Sequence, residues 1–143
     1  MTPERVETRH LEAIAALEAS VFHAPWSAQS LALLTGDAGV GFVITEGDRA
    51  LCYGGMMTVL DEGQITNIAT HESARRQGLA TRVVGALVAE ARARGLVQIT
   101  LEVRESNAAA IALYERHGFR VVGKRPRFYQ KPVEAALIML CEL

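Results

Sequence analysis

The sequence predicts one mixed α/β domain of the α+β kind, with a mostly antiparallel central sheet and helices on both faces. Three observations carry that prediction. A chain of 143 residues, half of them hydrophobic, is the size of one domain and buries roughly two-thirds of the surface its unfolded form exposes. Apolar residues recur at helical spacing in some stretches and alternate at strand spacing in others. No repeat or low-complexity tract interrupts the chain, and its prolines, at 3, 25, 126 and 132, stand where elements begin or end. The expected organisation is a single domain over 1–143.

Leu11, Ile14, Leu17, Val21 and Phe22 form the stripe of a first amphipathic helix. Pro25-Trp26-Ser27 then breaks the chain, and Ser27 is placed to cap a short second helix ending near Gly36. Three strands follow, Val40 to Thr45, Ala50 to Leu60 and Gln64 to Ala69, with turns at Gly47-Asp48 and Asp61-Glu62-Gly63; connections this short predict an antiparallel meander. Ala80, Val83, Val84, Leu87, Val88 and Ala91 then keep the helical period until Gly95. From Leu96 to Val103 the apolar positions 97, 99, 101 and 103 alternate with Gln98, Thr100 and Glu102, a strand with one polar face. Ser106 is the expected cap of a last helix, Asn107 to His117, with Gly118 at its left-handed end. Strands at Phe119 to Val122 and Ala136 to Leu140 complete an α-α-β-β-β-α-β-α-β-β order with a β-α-β crossover in its second half.

Composition excludes several function classes. Fifteen basic and sixteen acidic residues give a formal charge of −1, so there is no global pull toward nucleic acid or an anionic membrane. Cys52 and Cys141, with no Cys-x-x-Cys or Cys/His spacing, argue against a disulfide framework or a zinc site and for a reducing compartment. The histidines at 10, 23, 71 and 117 are scattered, and no metal is expected. No apolar run approaches the ~20 residues of a membrane helix, and the charged start reads as lacking a secretory signal; the expected location is the cytoplasm. Arg125 and Arg127 beside Phe128-Tyr129 fit a basic strand end near a substrate groove better than an RNA platform.

The chemistry concentrates in two places. Arg75-Arg76-Gln77-Gly78-Leu79-Ala80-Thr81 leads from a strand into the strongest helix. A helix start has about four unpaired N–H groups and roughly half a positive charge, which suits a pyrophosphate. Neither GxGxxG nor a P-loop Gly-Lys-Ser/Thr is present. The second place is Glu102, the carboxylate on a polar strand face, which reads either as a solvated surface group or as a base. Tyr114 reads either as sheet packing or as a proton donor.

Arg75, Gly78 and Ala80 resemble the Gln/Arg-x-x-Gly-x-Gly/Ala signature of the GNAT family of acyl-CoA-dependent N-acetyltransferases. Ala110-x-x-x-Tyr114-x-x-x-Gly118-Phe119 is similar to that family's second helix and following turn. Leu101-Glu102-Val103-Arg104, Ser106-Asn107-Ala108-Ala109-Ala110, Asn67-Ile68-Ala69 and Pro25-Trp26-Ser27 resemble its RimI-type branch of peptide α-N-acetyltransferases, which act on a ribosomal protein's N-terminal alanine. The likeness runs from about Trp26 to Met139. It implies a GNAT fold splayed at an acetyl-CoA site and direct transfer to a protein or peptide N-terminus. Glu102 is implied as base and Tyr114 as acid; if Glu102 is partly desolvated, its carboxyl rises toward the working range, and a water can relay the proton. Ile68, Ala69, Thr70, Arg75, Arg76, Gln77, Gly78, Leu79, Ala80, Thr81, Asn107 and Tyr114 are the implied cofactor contacts. Trp26 and Tyr129 are the implied substrate contacts. Two positions depart from the branch: Phe128 replaces the first of two tyrosines, and Ala135 replaces the Asp of Glu-Asp-Ala. A free-amine acetyltransferase predicts an enclosed acidic pocket and a peptide enzyme an open groove; retention of both Glu102 and Tyr114 speaks against a non-catalytic acyl-CoA-binding module.

Overall fold

A computed structural model describes residues 1–143. The chain runs β1 (Glu4–Arg5), α1 (Leu11–Val21), α2 (Ala28–Leu31), β2 (Gly39–Glu46), β3 (Arg49–Val59), β4 (Glu62–Thr70), α3 (Leu79–Ala93), β5 (Gln98–Arg104), α4 (Ala108–Arg116), β6 (Arg120–Tyr129) and β7 (Glu134–Glu142), with short 3-10 turns before α1, after α2 and before α3. The strands form one sheet in the order β1-β2-β3-β4-β5-β7-β6. Every pairing is antiparallel except β4 with β5, the pair that α3 joins. This is the mixed sheet the sequence predicts, with β1 as an addition too short to leave a pattern.

Two apolar layers flank the sheet. On one face Val83, Val84, Leu87, Val88 and Ala91 of α3 pack with Cys52, Met56, Leu101, Val103 and Tyr114. On the other, Leu11, Ile14 and Leu17 of α1 and Leu31 and Leu34 pack with Val43, Tyr53 and Ala69. At Gly54 the first layer comes so close that a Cβ would stand 2.5 Å from Ile68 Cδ1 and 2.8 Å from Val83 Cγ1, so only glycine lets α3 seat here.

Several boundaries differ from expectation. The β3–β4 turn is Leu60-Asp61, with Leu60 at φ 57°, while Glu62 and Gly63 belong to β4 and Gly63 is buried. Asn107, not Ser106, caps α4, its Oδ1 accepting from Ala110 N–H at 3.1 Å. β6 continues to Tyr129, well past Val122, as an exposed edge strand; an edge tolerates Pro126, which lacks the N–H an inner strand must donate.

Cys52 and Cys141 are both free and buried. Burial pushes the Cys52 thiol up to about 11, a hydrogen bond with Thr70 opposing it. Since only the thiolate is reactive, native protein at pH 8 is expected to take up a maleimide at Cys52 at least about 100-fold more slowly than the unfolded chain. Equal rates by mass spectrometry would contradict this placement.

Candidate active site

The sheet opens between β4 and β5. Their residues pair only at Glu62, Gly63 and Gln64 with Gln98, Ile99 and Thr100. Beyond that point β5 pairs with β7 alone, through Arg104, while β4 stays on β3 through Thr70. A register shift between Gly54 and Met56 sets two residues of β4, Thr66 and Asn67, against Gly55, and such a bulge bends its strand. The outer half of β4 thus has a free edge. His71 N–H bonds Leu51 C=O at 2.7 Å, so antiparallel alternation also turns Ala69 toward β3 and leaves the backbone groups of Ile68 and Thr70 facing the gap. An extended amide chain can pair with such an edge as an added strand does.

The mouth of the gap is the start of α3. Gly78 is the N-cap at φ 74° and offers no side chain to the helix, and the first intrahelical bond runs from Arg82 N–H to Gly78 C=O. The N–H groups of Leu79, Ala80 and Thr81 therefore precede any intrahelical donor and are free for an anion. A Cβ at Gly78 would meet nothing within 4 Å, so the space in front of the helix is open. Arg76 is also left-handed, at φ 64°; a non-glycine residue held there costs about 1–3 kcal/mol, a strain common at ligand clamps. Arg75, Arg76 and Gln77 are exposed, and neither arginine forms an ion pair. Free donors, unpaired guanidinium groups and an open strand edge fit a pyrophosphate followed by an amide-bearing arm.

Glu102 and Tyr114 approach the gap from opposite faces. Leu101 and Val103 are buried toward α3, so Glu102 points to the face that carries α1 and α2, where it is exposed. The condition of partial desolvation is not met here. Tyr114 lies under the sheet at 7% exposure, its ring 5.8 Å from that of Phe119. Burial, with the neighbouring Tyr129 and Cys52, drives its phenol far above the usual tyrosine range, so it holds its proton at any working pH. The only buried side-chain polar atoms without a partner are His10 Nε2 and Thr66 Oγ1; the unpartnered Tyr114 hydroxyl is thus reached by solvent. Tyr129 stands within electrostatic range of both groups, its phenol raised by burial and by Glu102 against the pull of Arg104.

Arg104, whose role the sequence did not reveal, holds Tyr129. Its guanidinium lies 4.5 Å from the Tyr129 ring centroid and donates to Gln130 C=O at 2.8 Å, Pro132 C=O at 3.0 Å and Glu134 at 3.1 Å. Glu134 also accepts from Ser106 N–H at 2.6 Å, so β5, the start of α4 and the β6–β7 turn are tied together. Phe128 sits edge-on to Tyr129 at 4.9 Å, and Ala135 C=O accepts from Glu105 N–H. Asn107 keeps its amide NH2 free beside the cap. Trp26 is half-buried in the loop between α1 and α2, on the same face as Glu102. Of the helices, α3 is the one that packs substantially on β5, and it covers the face opposite Glu102, which is left exposed.

Three of the four histidines serve local structure: His71 and His117 bond to Ser73 and Leu113, and His10 Nδ1 accepts from Glu7 N–H, while His23 is exposed. No group of three or more His, Cys, Asp or Glu is arranged to hold a metal ion. No helix is long and apolar enough to cross a membrane.

A family model described as the acetyltransferase (GNAT) family matches residues 9–119. The chain is 36% identical over 128 residues to the [ribosomal protein bS18]-alanine N-acetyltransferase of Escherichia coli (strain K12), covering 90% of this chain and 86% of that protein. It is 31% identical over 142 residues to the Haemophilus influenzae protein of the same name, covering 97% of each. The crystal structure of the Escherichia coli ribosomal-protein-S18-alanine N-acetyltransferase superposes with a TM-score of 0.89 at 35% identity, over 99% of this chain and 92% of that one.

Proposed function

The chain belongs to the acetyltransferase (GNAT) family, and from that premise we propose that it acetylates the α-amine of a protein N-terminus, the alanine of ribosomal protein bS18 being the substrate of choice. It is an acyltransferase, and acetyl-CoA, the family's donor, supplies an activated thioester. The observation that carries the reading is the placement of Glu102 and Tyr114 on opposite sides of the β4–β5 gap.

A peptide lies in the open groove on the α1/α2 face, between the Trp26 loop and the β6–β7 turn that Arg104 holds. Acetyl-CoA enters from the other side, its pyrophosphate on the N–H groups of Leu79, Ala80 and Thr81 with Arg75, Arg76 and Gln77 around it. Its pantetheine arm runs along Ile68 and Thr70 and beside Asn107; Ala69 supports that edge through β3. An α-amine has a pKa of ~7.7 to 8.0 and attacks only when neutral. Glu102 takes its proton, directly or through a water. As the new N–C bond forms and the C–S bond breaks, Tyr114 gives its proton to the departing sulfur. Phe128 and Ala135 remove a hydroxyl and a carboxylate from the groove rim and tune the accepted N-terminus. Such a substrate places the enzyme in the cytoplasm.

Tyr114→Phe is expected to lower kcat by about tenfold, modest for acid catalysis because a thiolate leaves readily. Stopped-flow turnover checks it, and a wild-type rate would remove Tyr114 as acid. The substrate assignment is tested by thiol release from acetyl-CoA with a peptide panel. Alanine-initiated ribosomal N-termini should give the highest kcat/KM; a preference for free small amines would overturn the peptide reading.

A further inference from the structure

Glu18, on α1, is a carboxylate at 0% exposure that the chemistry above does not use. It forms no ion pair. Neutral donors satisfy it: Oε1 accepts from Trp26 backbone N–H at 2.8 Å, and Oε2 accepts from Asn67 Nδ2 at 2.9 Å and from the Tyr53 hydroxyl. These groups come from three places in the fold. Tyr53 lies on β3, Asn67 lies in the β4 bulge directly before Ile68, and Trp26 lies in the loop at the groove's edge. Burying a lone carboxylate is costly, and an apolar residue of like size would serve packing better. What Glu18 adds is a fixed geometry between loop and bulge.

We propose that Glu18 is a positioning residue that pins the Trp26 loop to the bulged half of β4, and so sets how tightly the peptide is held opposite Glu102. The inference rests on the N-acetyltransferase reading for its effect on peptide binding, but not for its effect on the loop. Trp26 has no other backbone donor bond, and the loop from His23 to Pro25 is exposed, so removing the carboxylate frees the segment. In Glu18→Leu, of similar size, no acceptor remains for Trp26 N–H, whereas in Glu18→Gln the oxygen stays on Trp26 N–H while the NH2 donates to Asn67, turned to present its Oδ1.

The experiment uses Trp26, the chain's only tryptophan, as reporter. In Glu18→Leu the emission should shift to the red and acrylamide quenching should rise about twofold. Peptide KM should rise about tenfold while kcat and the acetyl-CoA dissociation constant stay within about threefold. Glu18→Gln keeps one acceptor for the loop, its oxygen on Trp26 N–H and its NH2 donating to Asn67 Oδ1, and should hold emission and KM near wild type. Tyr53→Phe removes one donor from the same buried cluster yet leaves Glu18 on Trp26, and should keep both readouts near wild type. Unchanged Trp26 emission in Glu18→Leu, a change of the same size in Glu18→Gln, or an equal KM rise in Tyr53→Phe would each overturn the proposal. If Glu18→Leu does not fold, amide exchange in wild type decides it: Trp26 N–H should exchange at least about 100-fold more slowly than the exposed Ala24 N–H, and equal rates would overturn the pin. If no peptide is acetylated by wild type, the fluorescence comparison still decides the inference, whereas the substrate reading fails on its own.

Discussion

Glu102→Gln is expected to lower kcat by about 10²- to 10⁴-fold at pH 7, with acetyl-CoA affinity unchanged. The amide is isosteric but cannot accept a proton from the α-amine. Glu102 is exposed on β5, so the substitution leaves no buried group unpaired, and thermal stability should move by less than about 0.5 kcal/mol. The loss should shrink as pH rises through ~8, where the amine deprotonates without help. Its exposure also gives the base direct access to water, which suits release of the proton to solvent. A Glu102→Gln rate equal to wild type from pH 6 to 9 would remove the residue as base.

Gly78→Glu is expected to raise the acetyl-CoA dissociation constant by about 10- to 100-fold through two effects. Any side chain at φ 74° is strained by about 1 kcal/mol or more, which loosens the first turn of α3. A carboxylate in the open space before the helix also replaces attraction by repulsion, worth about another 1 kcal/mol. Gly78→Ala separates the two, since a Cβ there meets no atom within 4 Å; alanine carries the strain without the charge and should cost less than about tenfold. Calorimetric titration with coenzyme A reads both. Equal, wild-type constants would place the phosphates elsewhere.

The parts of the fold governed by periodicity were legible in the sequence. The stripe from Ala80 to Ala91 became α3, with Val83, Val84, Leu87, Val88 and Ala91 buried, because a helix one side wet must repeat every 3.6 residues. The alternation of Ile99, Leu101 and Val103 gave β5 and put Glu102 on the polar face for the same kind of reason, while Val97, expected on the same face as those three, precedes the strand and is exposed. Edge elements carried no such signal. β6 beyond Val122 reads Gly-Lys-Arg-Pro-Arg before its aromatic end and is exposed from Lys124 to Phe128, so neither face there selects apolar residues; β1 is two residues long. Ser106 and Asn107 are both good caps, and only the geometry of Ala110 N–H chooses Asn107.

Single residues of the candidate site such as Glu102 and Tyr114 stood out in the sequence, whereas the contacts that hold the surrounding segments in place did not. Arg104 was visible as part of a motif, but its grip on Tyr129 depends on a turn 26 to 28 residues away, which no local pattern encodes. Glu18 left a clue: it lies on the apolar stripe of α1 between Leu17 and Val21, where a charge must find buried partners. Which partners depended on the bulge at Asn67, and bulges are set by strand pairing across the sheet rather than by sequence alone.

The central claim is transfer of an acetyl group to an N-terminal α-amine. Its most direct test is to incubate the protein with acetyl-CoA and an alanine-initiated bS18 peptide that also contains lysine, then locate the added mass by fragmentation. Addition of one acetyl group on the alanine nitrogen, dependent on Glu102, is the predicted result. Acetylation on lysine alone, or acetyl-CoA binding with no product on any amine, would contradict it.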